Sequence, residues 1–376
     1  MAANGTFDIC VIGAGIAGAS VAAELAATRK VVLLERESQP GYHTTGRSAA
    51  LFSTTYGPPV IRALSRASQT FYRDPPKGFE RPLLTPRGAM MIARPDQLAS
   101  LDALETELDG TGERMDADQA RARFPLLRHG HIVAAILERA AQDIDVHALH
   151  QGYLRQFKER GGIFAANADI TALEAKAEGW TVRYGERRCE ASVVVNAAGA
   201  WADVIAGLAG VAPVGLTPKR RTAAIVSLPD GTDAHDWPMV IDIDEEFYAK
   251  PDAGRLLISP ADETPSEPCD AQPDEYDVAV AVDRIETALD LQIRHIESKW
   301  AGLRTFAPDK NPVVGWAEPN SQFFWLAGQG GYGIQTAPAL AKVAAALILD
   351  QSLDDALASQ SIDLGSIAPT RQSLEN

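Results

Sequence analysis

Glycines at positions 13, 15 and 18 are spaced to hold a phosphate, and Glu35 is spaced to hold the sugar beside it. The apolar run Ile9 to Ile12 opens directly into Gly13-x-Gly15-x-x-Gly18, with Ile16 and Ala17 between the last two glycines. A second apolar run, Val31 to Leu34, ends in Glu35 and Arg36. A strand, a glycine turn, a helix and a second strand closing on an acid make the dinucleotide fingerprint in its full context. Gly13 permits the tight turn, Gly15 lets the backbone approach a pyrophosphate, and Gly18 lets the helix pack on the strand. The first amides of that helix then face the phosphates. Glu35 follows Gly15 by 20 residues, the reach required to accept hydrogen bonds from a ribose.

The fingerprint alone fits NAD or FAD. A second glycine cluster, Gly328-Gln-Gly330-Gly331-Tyr332-Gly333, follows the apolar run Phe323 to Ala327 and precedes a helix near Ile334 and Gln335. It reads as a second backbone approach to one large ligand, which favours a flavin, with the helix dipole aimed at the ring. The histidines form no metal-binding pattern. His147 and His150 are three apart but have no Cys or acid partners at ligand spacing, so no metal is expected.

The pattern places these residues on a chain of alternating elements. After the first βαβ unit comes a polar loop, Gly41 to Ser48, containing Gly46 and Arg47, that belongs beside the nucleotide, followed by Ala49. Helices are predicted over 58–72, 95–108, 116–124, 145–160 and 277–293. Val193 to Asn196 reads as a buried strand entering a turn at Ala198 and Gly199, with a helix from Trp201. Strands over 221–228, 239–243, 247–250 and 256–259 suggest a second sheet, and the Pro-, Asp- and Glu-rich stretch 260–276 reads as a solvated loop. The fold class is therefore α/β: a discontinuous Rossmann-type nucleotide-binding domain with an inserted α+β substrate domain on a mixed sheet. The boundaries are 1–80, 140–215 and 300–376 for the first, 81–139 and 216–299 for the second.

Composition narrows the function classes. At 376 residues the chain exceeds one ordinary core. Its net charge of −15 argues against nucleic acid and anionic membranes as partners. Three scattered cysteines, Cys10, Cys189 and Cys269, suggest free thiols in a reducing compartment, and no signal peptide or apolar span is evident, so a cytoplasmic protein is expected.

Four segments taken together, Gly13-x-Gly15-x-x-Gly18, Asn196-Ala-Ala-Gly-Ala-Trp201, Trp300-Ala-Gly-Leu-Arg304 and Gly328-Gln-Gly-Gly-Tyr-Gly-Ile-Gln335, resemble the FAD-dependent D-amino-acid oxidase/dehydrogenase superfamily over nearly the whole chain. Gln39 to Ala50, Pro218-Lys-Arg-Arg221, His235 to Met239 and Phe247 to Gly254 are similar to bacterial D-arginine dehydrogenases. The resemblance implies non-covalent FAD and oxidation of a D-amino acid to an imino acid that water hydrolyses. Electrons would pass to a quinone, a carrier or oxygen. It implies that Arg221 and Arg304 clamp the substrate carboxylate with Tyr248 and Tyr56, the latter on a mobile lid. The Gly331 carbonyl and Gln335 would lie near the amine, and Leu51, Ser53 and Ala89 would line the pocket. Physically, hydride transfer from Cα needs alignment more than a strong base, and two guanidiniums fix a carboxylate in one pose.

Two positions depart from that pattern. Ala89 and Leu51 stand where the resemblance implies a pocket glutamate and histidine. A buried cation without its carboxylate costs about 3–5 kcal/mol, so neutral or apolar side chains are expected over D-arginine, with Glu80 the alternative carboxylate. The competing readings are a secondary-amine enzyme of the sarcosine or proline type, a flavoprotein subunit of a larger complex, and an NAD(P) dehydrogenase.

Overall fold

The computed structural model describes residues 5–79, 82–318 and 321–374. Its first sheet is built on the fingerprint. Thr6–Ile12 and Val31–Leu34 run parallel, with Ile9 opposite Val31 and Ile12 opposite Leu34. Ile163–Ala165 joins one side, and Arg187–Asn196 and then Phe323–Ala327 join the other, all parallel. Parallel strands covered on both faces read as continuous apolar runs, which is why these segments were legible. Side-chain alternation divides the core. Ile9, Val11, Val31 and Leu33 face one cluster, with Leu25, Leu149 and Leu340 from three helices. Cys10, Ile12, Val32 and Leu34 face a second, with Trp180 and Ile205. The hairpin Ile170–Lys176 and Gly179–Tyr184 extends the sheet beside Arg187–Asn196, and Val313–Trp316 pairs antiparallel with Phe323–Ala327.

Four strands of this sheet end at one rim. Gly13 follows Ile12, Glu35 follows Leu34, Ala197 follows Asn196 and Gly328 follows Ala327. Carboxyl ends of parallel strands are where open α/β sheets bind ligands.

The second sheet is mixed. Its order is Glu113–Asp116, Ala134–Glu138, Ala89–Ala93, Met239–Asp242, Tyr248–Asp252, Arg255–Ser259, Thr217–Val226, Ile296–Phe306. Only Ala89–Ala93 and Met239–Asp242 are parallel. Helix Glu275–Ala288 packs on its outer face through Ala281 and Ile285. A three-stranded sheet of Leu51–Phe52, Gln142–Ile144 and Leu84–Pro86 lies apart from these two.

Three expectations need correction. The strand Ile296–Phe306 runs straight through the boundary expected at 300 and pairs along its length with Thr217–Val226. Its Lys299, Trp300 and Gly302 break the alternation that signals a strand. The helix expected to reach 293 stops at Ala288, where Leu289 turns extended (φ −119°, ψ 145°). The stretch 260–276 is not simply solvated. Thr264–Pro265 pairs with Lys219 and Arg220, and the Asp262 carboxylate accepts the Thr222 amide at 2.6 Å. Glu80 lies outside the described residues.

Candidate active site

One cavity of about 910 Å³ runs from the rim of the first sheet to the inner face of the second. At its first end the glycine turn is fixed by close approach. Gly13 holds φ +98°, and a Cβ there would stand 2.5 Å from the Ala197 carbonyl oxygen. A Cβ on Gly18 would stand 1.8 Å from the Gly13 carbonyl oxygen, so the third glycine serves helix packing and does not line the cavity. Helix Ile16–Leu25 has no side-chain cap other than Thr45, whose Oγ1 accepts the Ile16 amide at 3.0 Å. Glu35 is buried, and its carboxylate accepts the Ala14 amide at 2.8 Å and the Glu37 amide at 3.0 Å. The Arg36 guanidinium stacks 4.8 Å from the Trp201 ring, and both line the cavity.

Farther along the same rim the loop 328–333 leads into helix Gly333–Ile348. Gly330 holds φ +55°, where a Cβ would meet the Phe306 ring at 2.3 Å. Pro338 lies inside this helix and cannot donate to the Ile334 carbonyl. The Tyr72 hydroxyl donates to that carbonyl instead, at 2.5 Å. The first turn, Gly333, Ile334 and Gln335, lines the cavity, and the first amides of a helix have no partner within it.

The far wall carries the charge. Lys219 pairs with Arg304 and Arg221 with Gly302 across one antiparallel ladder, so Arg221 and Arg304 are diagonal neighbours on one face. Arg221 Nε donates to the Asp262 carbonyl at 2.9 Å. The Glu263 carboxylate lies 3.4 Å from Arg221 and 3.7 Å from Arg304, and also binds Lys219 at 2.9 Å. Burial works against the Arg304 charge, but the phenols of Tyr56, Tyr248 and Tyr332 and the Glu263 carboxylate leave its pKa above the ordinary value. Burial pushes the Tyr56 phenol well above its usual range. The Tyr56 ring sits 5.2 Å from that of Tyr332.

The sequence-predicted residues converge on this cavity. Gly13, Gly15, Ile16, Ala17, Glu35, Arg36, Arg47, Ser48, Ala49, Ala198, Gly199 and Trp201 line one part. Gly330, Gly331, Gly333, Ile334, Gln335, Leu51, Ser53, Tyr56, Ala89, Arg221, Tyr248 and Arg304 line the rest. Gly18, Gly46 and Tyr332 do not line it. Gly46 closes the preceding turn, its amide donating to the Gly41 carbonyl at 2.8 Å, and Tyr332 occupies the N-cap position of Gly333–Ile348. A Cβ on Gly331 would stand 1.9 Å from Arg304 Nη2, so any larger residue there must displace that guanidinium. Gly331→Ala is expected to push the guanidinium aside, raising KM for a carboxylate substrate about tenfold while the ligand at the first end stays bound. Steady-state kinetics with an absorbance spectrum checks this.

Sequence reasoning missed four residues. Thr45 caps the fingerprint helix, and His150 Nε2 donates to the Ala14 carbonyl at 2.9 Å, a structural role for one of the two histidines weighed as metal ligands. Glu263 was read as part of a solvated loop. Glu138 overturns the premise that Ala89 and Leu51 leave the pocket without a carboxylate. It is buried, lines the cavity and stands directly opposite Ala89 in the strand register.

Burial holds the Glu138 pKa above the usual carboxylate range, against the lowering effect of the Thr55 and Ser53 hydroxyls. The folded protein therefore binds this proton more tightly than the unfolded chain. Its contribution to stability is complete below the unfolded value of about 4.3 and is lost as pH rises through the folded value. The ligand-free Glu138→Gln protein is expected to melt higher than the parent at pH 7, with no advantage at pH 4. Thermal unfolding at the two pH values checks this.

The orphaned polar atoms test whether a large redox cofactor suits the cavity. Arg304 Nε, Thr305 Oγ1, Gln329 Nε2 and Gln335 Nε2 are buried without partners and all belong to residues lining it. A volume near the top of the range for small-molecule sites leaves room for a dinucleotide and a small substrate. Among the described residues no cluster of His, Cys, Asp and Glu is placed to hold a metal, and no helix is long and apolar enough to cross a membrane.

Comparison with known proteins gives the same picture. The model of the FAD dependent oxidoreductase family matches residues 8–347. The chain is 25% identical to FAD-dependent oxidoreductase domain-containing protein 1 of Bos taurus, over 91% of this chain and 81% of that protein. It is 24% identical to mitochondrial dimethylglycine dehydrogenase of Homo sapiens, over 87% of this chain and 40% of that protein. Among solved structures, glycine oxidase from Geobacillus kaustophilus superposes with a TM-score of 0.82 at 20% identity, covering 96% of this chain and 99% of that one.

Proposed function

The chain belongs to the family of FAD-dependent oxidoreductases, and from that premise we propose that it oxidises a D-amino acid at the Cα–N bond, giving an imino acid that water hydrolyses to a 2-oxo acid and ammonia. The observation that carries this reading is the pair of guanidiniums, Arg221 and Arg304, on one cavity-facing ladder beside the two phenols. FAD, when bound, supplies the acceptor for the Cα hydride. Gly13, Gly15 and Glu35 with the first turn of Ile16–Leu25 would hold its dinucleotide. Gly330, Gly331 and the first turn of Gly333–Ile348 would lie against its ring.

The chain's own residues then have separate tasks. Arg221 and Arg304 hold the carboxylate as a forked pair, which fixes one face of Cα. Tyr248 and Tyr56 donate hydrogen bonds to the same carboxylate, and a Tyr56 pKa held high keeps that phenol protonated as a donor. The Gly331 carbonyl and Gln335 accept from and orient the amine, whose proton leaves as the hydride departs. No oxyanion develops, so alignment carries the catalysis. D selectivity follows from presenting one face of Cα.

A second reading draws on the relatives, one of which is named for dimethylglycine. The same clamp suits an N-methylated glycine. Anaerobic flavin bleaching separates them: fast bleaching by D-amino acids, and little by their L forms or by sarcosine, supports the first. Bleaching by sarcosine alone overturns it. Repeating the assay with oxygen, a quinone and an artificial carrier assigns the electron acceptor.

The flavin is expected to be non-covalent. Cys269 is exposed and does not line the cavity, and Cys10 and Cys189 are buried in the first sheet's core. Acid precipitation is expected to leave all yellow colour in the supernatant. Colour retained on the pellet contradicts this.

A further inference from the structure

The sheet that carries the arginines also holds, on its distant strands, a carboxylate that the proposed reaction does not use. Glu138 ends the strand Ala134–Glu138 and is 4% exposed. The register fixes its direction. Ala89 lies opposite both Glu138 and Met239, Met91 opposite Ile241, and Ile241 opposite Tyr248. Paired residues of adjacent strands share a face, so Glu138 looks into the same space as Tyr248. Those two strands are three spacings apart, about 14 Å, and the strands of Arg221 and Arg304 lie two and three spacings beyond that of Tyr248. With both side chains reaching inward, a long unbranched substituent spans what remains, and the small Ala89 leaves room for it.

The hydrogen bonding of Glu138 is incomplete. Ser53 Oγ accepts the Thr55 and Tyr56 amides, each at 3.2 Å. Its single proton is then donated to the Glu138 carboxylate, at 3.0 and 2.9 Å from the two oxygens. An ionised carboxylate offers about four lone-pair sites, and the hydroxyls of Ser53 and Thr55 fill at most two. No Lys, Arg or His among the described residues pairs with it. Arg87, in the turn before Ala89–Ala93, and Lys250, on Tyr248–Asp252, are both taken by Asp143. Buried charges are normally paired. Here the wall offers a charge, an unfilled set of acceptors and a cavity in front of them.

We propose that Glu138 is the specificity-determining residue for the substrate's side chain, accepting hydrogen bonds from a terminal ammonium or guanidinium on a long unbranched substituent. The proposal rests on the reading that Arg221 and Arg304 hold the substrate's carboxylate at the other end. It reverses the preference expected from Ala89 alone.

The test uses the FAD-loaded protein and two acids that cannot be oxidised at Cα. One is ε-aminocaproate, which is lysine without its α-amine. The other is caproate, its uncharged counterpart. Binding is followed by the change in the flavin absorbance spectrum and by calorimetry, in wild type and in flavin-containing Glu138→Gln. The wild type is expected to bind ε-aminocaproate at least about tenfold more tightly than caproate, the worth of one charge-assisted hydrogen bond. Glu138→Gln is expected to reduce that ratio to about two or less. Equal or tighter binding of caproate by wild type overturns the proposal without any variant. So does a ratio that Glu138→Gln leaves unchanged, or failure of both acids to bind. Bleaching assays with D-lysine and D-norleucine separate the two claims. If neither bleaches the flavin while the ε-aminocaproate preference persists, the reaction assignment fails and Glu138 stands. If D-norleucine bleaches it faster and caproate binds as well, Glu138 fails and the reaction stands.

Discussion

Arg304→Met is expected to lower kcat/KM for the amino-acid substrate by about a hundred- to several thousand-fold, with FAD retained. The largely enclosed side chain lies against Gly331 and shares Glu263 with Arg221. Removing one partner of a buried charged pair costs about 3–5 kcal/mol, and each 1.36 kcal/mol is about tenfold in rate. Methionine keeps the bulk of the stem, so the loss isolates the guanidinium. Arg304→Lys restores charge without the fork and is expected to recover only part of the activity. Arg221→Met is expected to act similarly, though Arg221 is also anchored by the Asp262 carbonyl. Stopped-flow flavin reduction is the measurement. A change of less than about threefold in both methionine variants would remove the carboxylate clamp from the mechanism.

Gly18→Ala is expected to yield protein with little or no flavin. Its Cβ falls 1.8 Å from the Gly13 carbonyl oxygen, in the fingerprint turn, and 3.4 Å from the Ala197 methyl on the adjacent strand's end. No flexible side chain is there to give way, so either the helix lifts from the strand or the turn opens. Both outcomes move the Ala14 and Ile16 amides, which donate to Glu35 and Thr45 and so fix the turn and the start of the helix. Overpacking of this kind costs about 1–3 kcal/mol or more, and the binding loss adds to it because only the folded state binds FAD. The ratio of flavin to protein absorbance, with circular dichroism to establish folding, reads the result. A folded variant with wild-type flavin content contradicts the role given to Gly18.

The fingerprint was legible because its signals are local. Gly13, Gly15, Gly18 and Glu35 sit within one βαβ unit, and each requirement is met within a few residues. The second glycine cluster was legible for the same reason. Arg221 and Arg304 are 83 residues apart, and nothing in their local sequence distinguishes them from surface arginines. Only the long motifs that carry the family resemblance marked them. Glu263 and Asp262 were hidden by composition, since an acidic, proline-rich stretch looks solvated until two neighbouring strands place three cations against it. Glu138 was hidden by register. Ala89 looked like the loss of a pocket carboxylate because a sequence shows which residue occupies a position and not which one stands across from it.

The strand Ile296–Phe306 has a consequence for how a substrate gets in. Leu303 accepts the Thr44 hydroxyl, Ala301 accepts the Arg47 guanidinium, and the Trp300 indole donates to the Arg47 carbonyl. Thr305 accepts the Gly330 amide, and Arg304 lies between. One backbone thus grips the nucleotide-side loop, the ring-side loop and the clamp. Swinging the two halves apart on a hinge would break all of these bonds together. For the proposed hydride transfer this strand would set the distance between donor and acceptor, and the lid proposed around Tyr56 would carry the traffic through the site. Turnover limited by entry or release would respond to changes in that segment and not to the stiffness of the junction between the sheets.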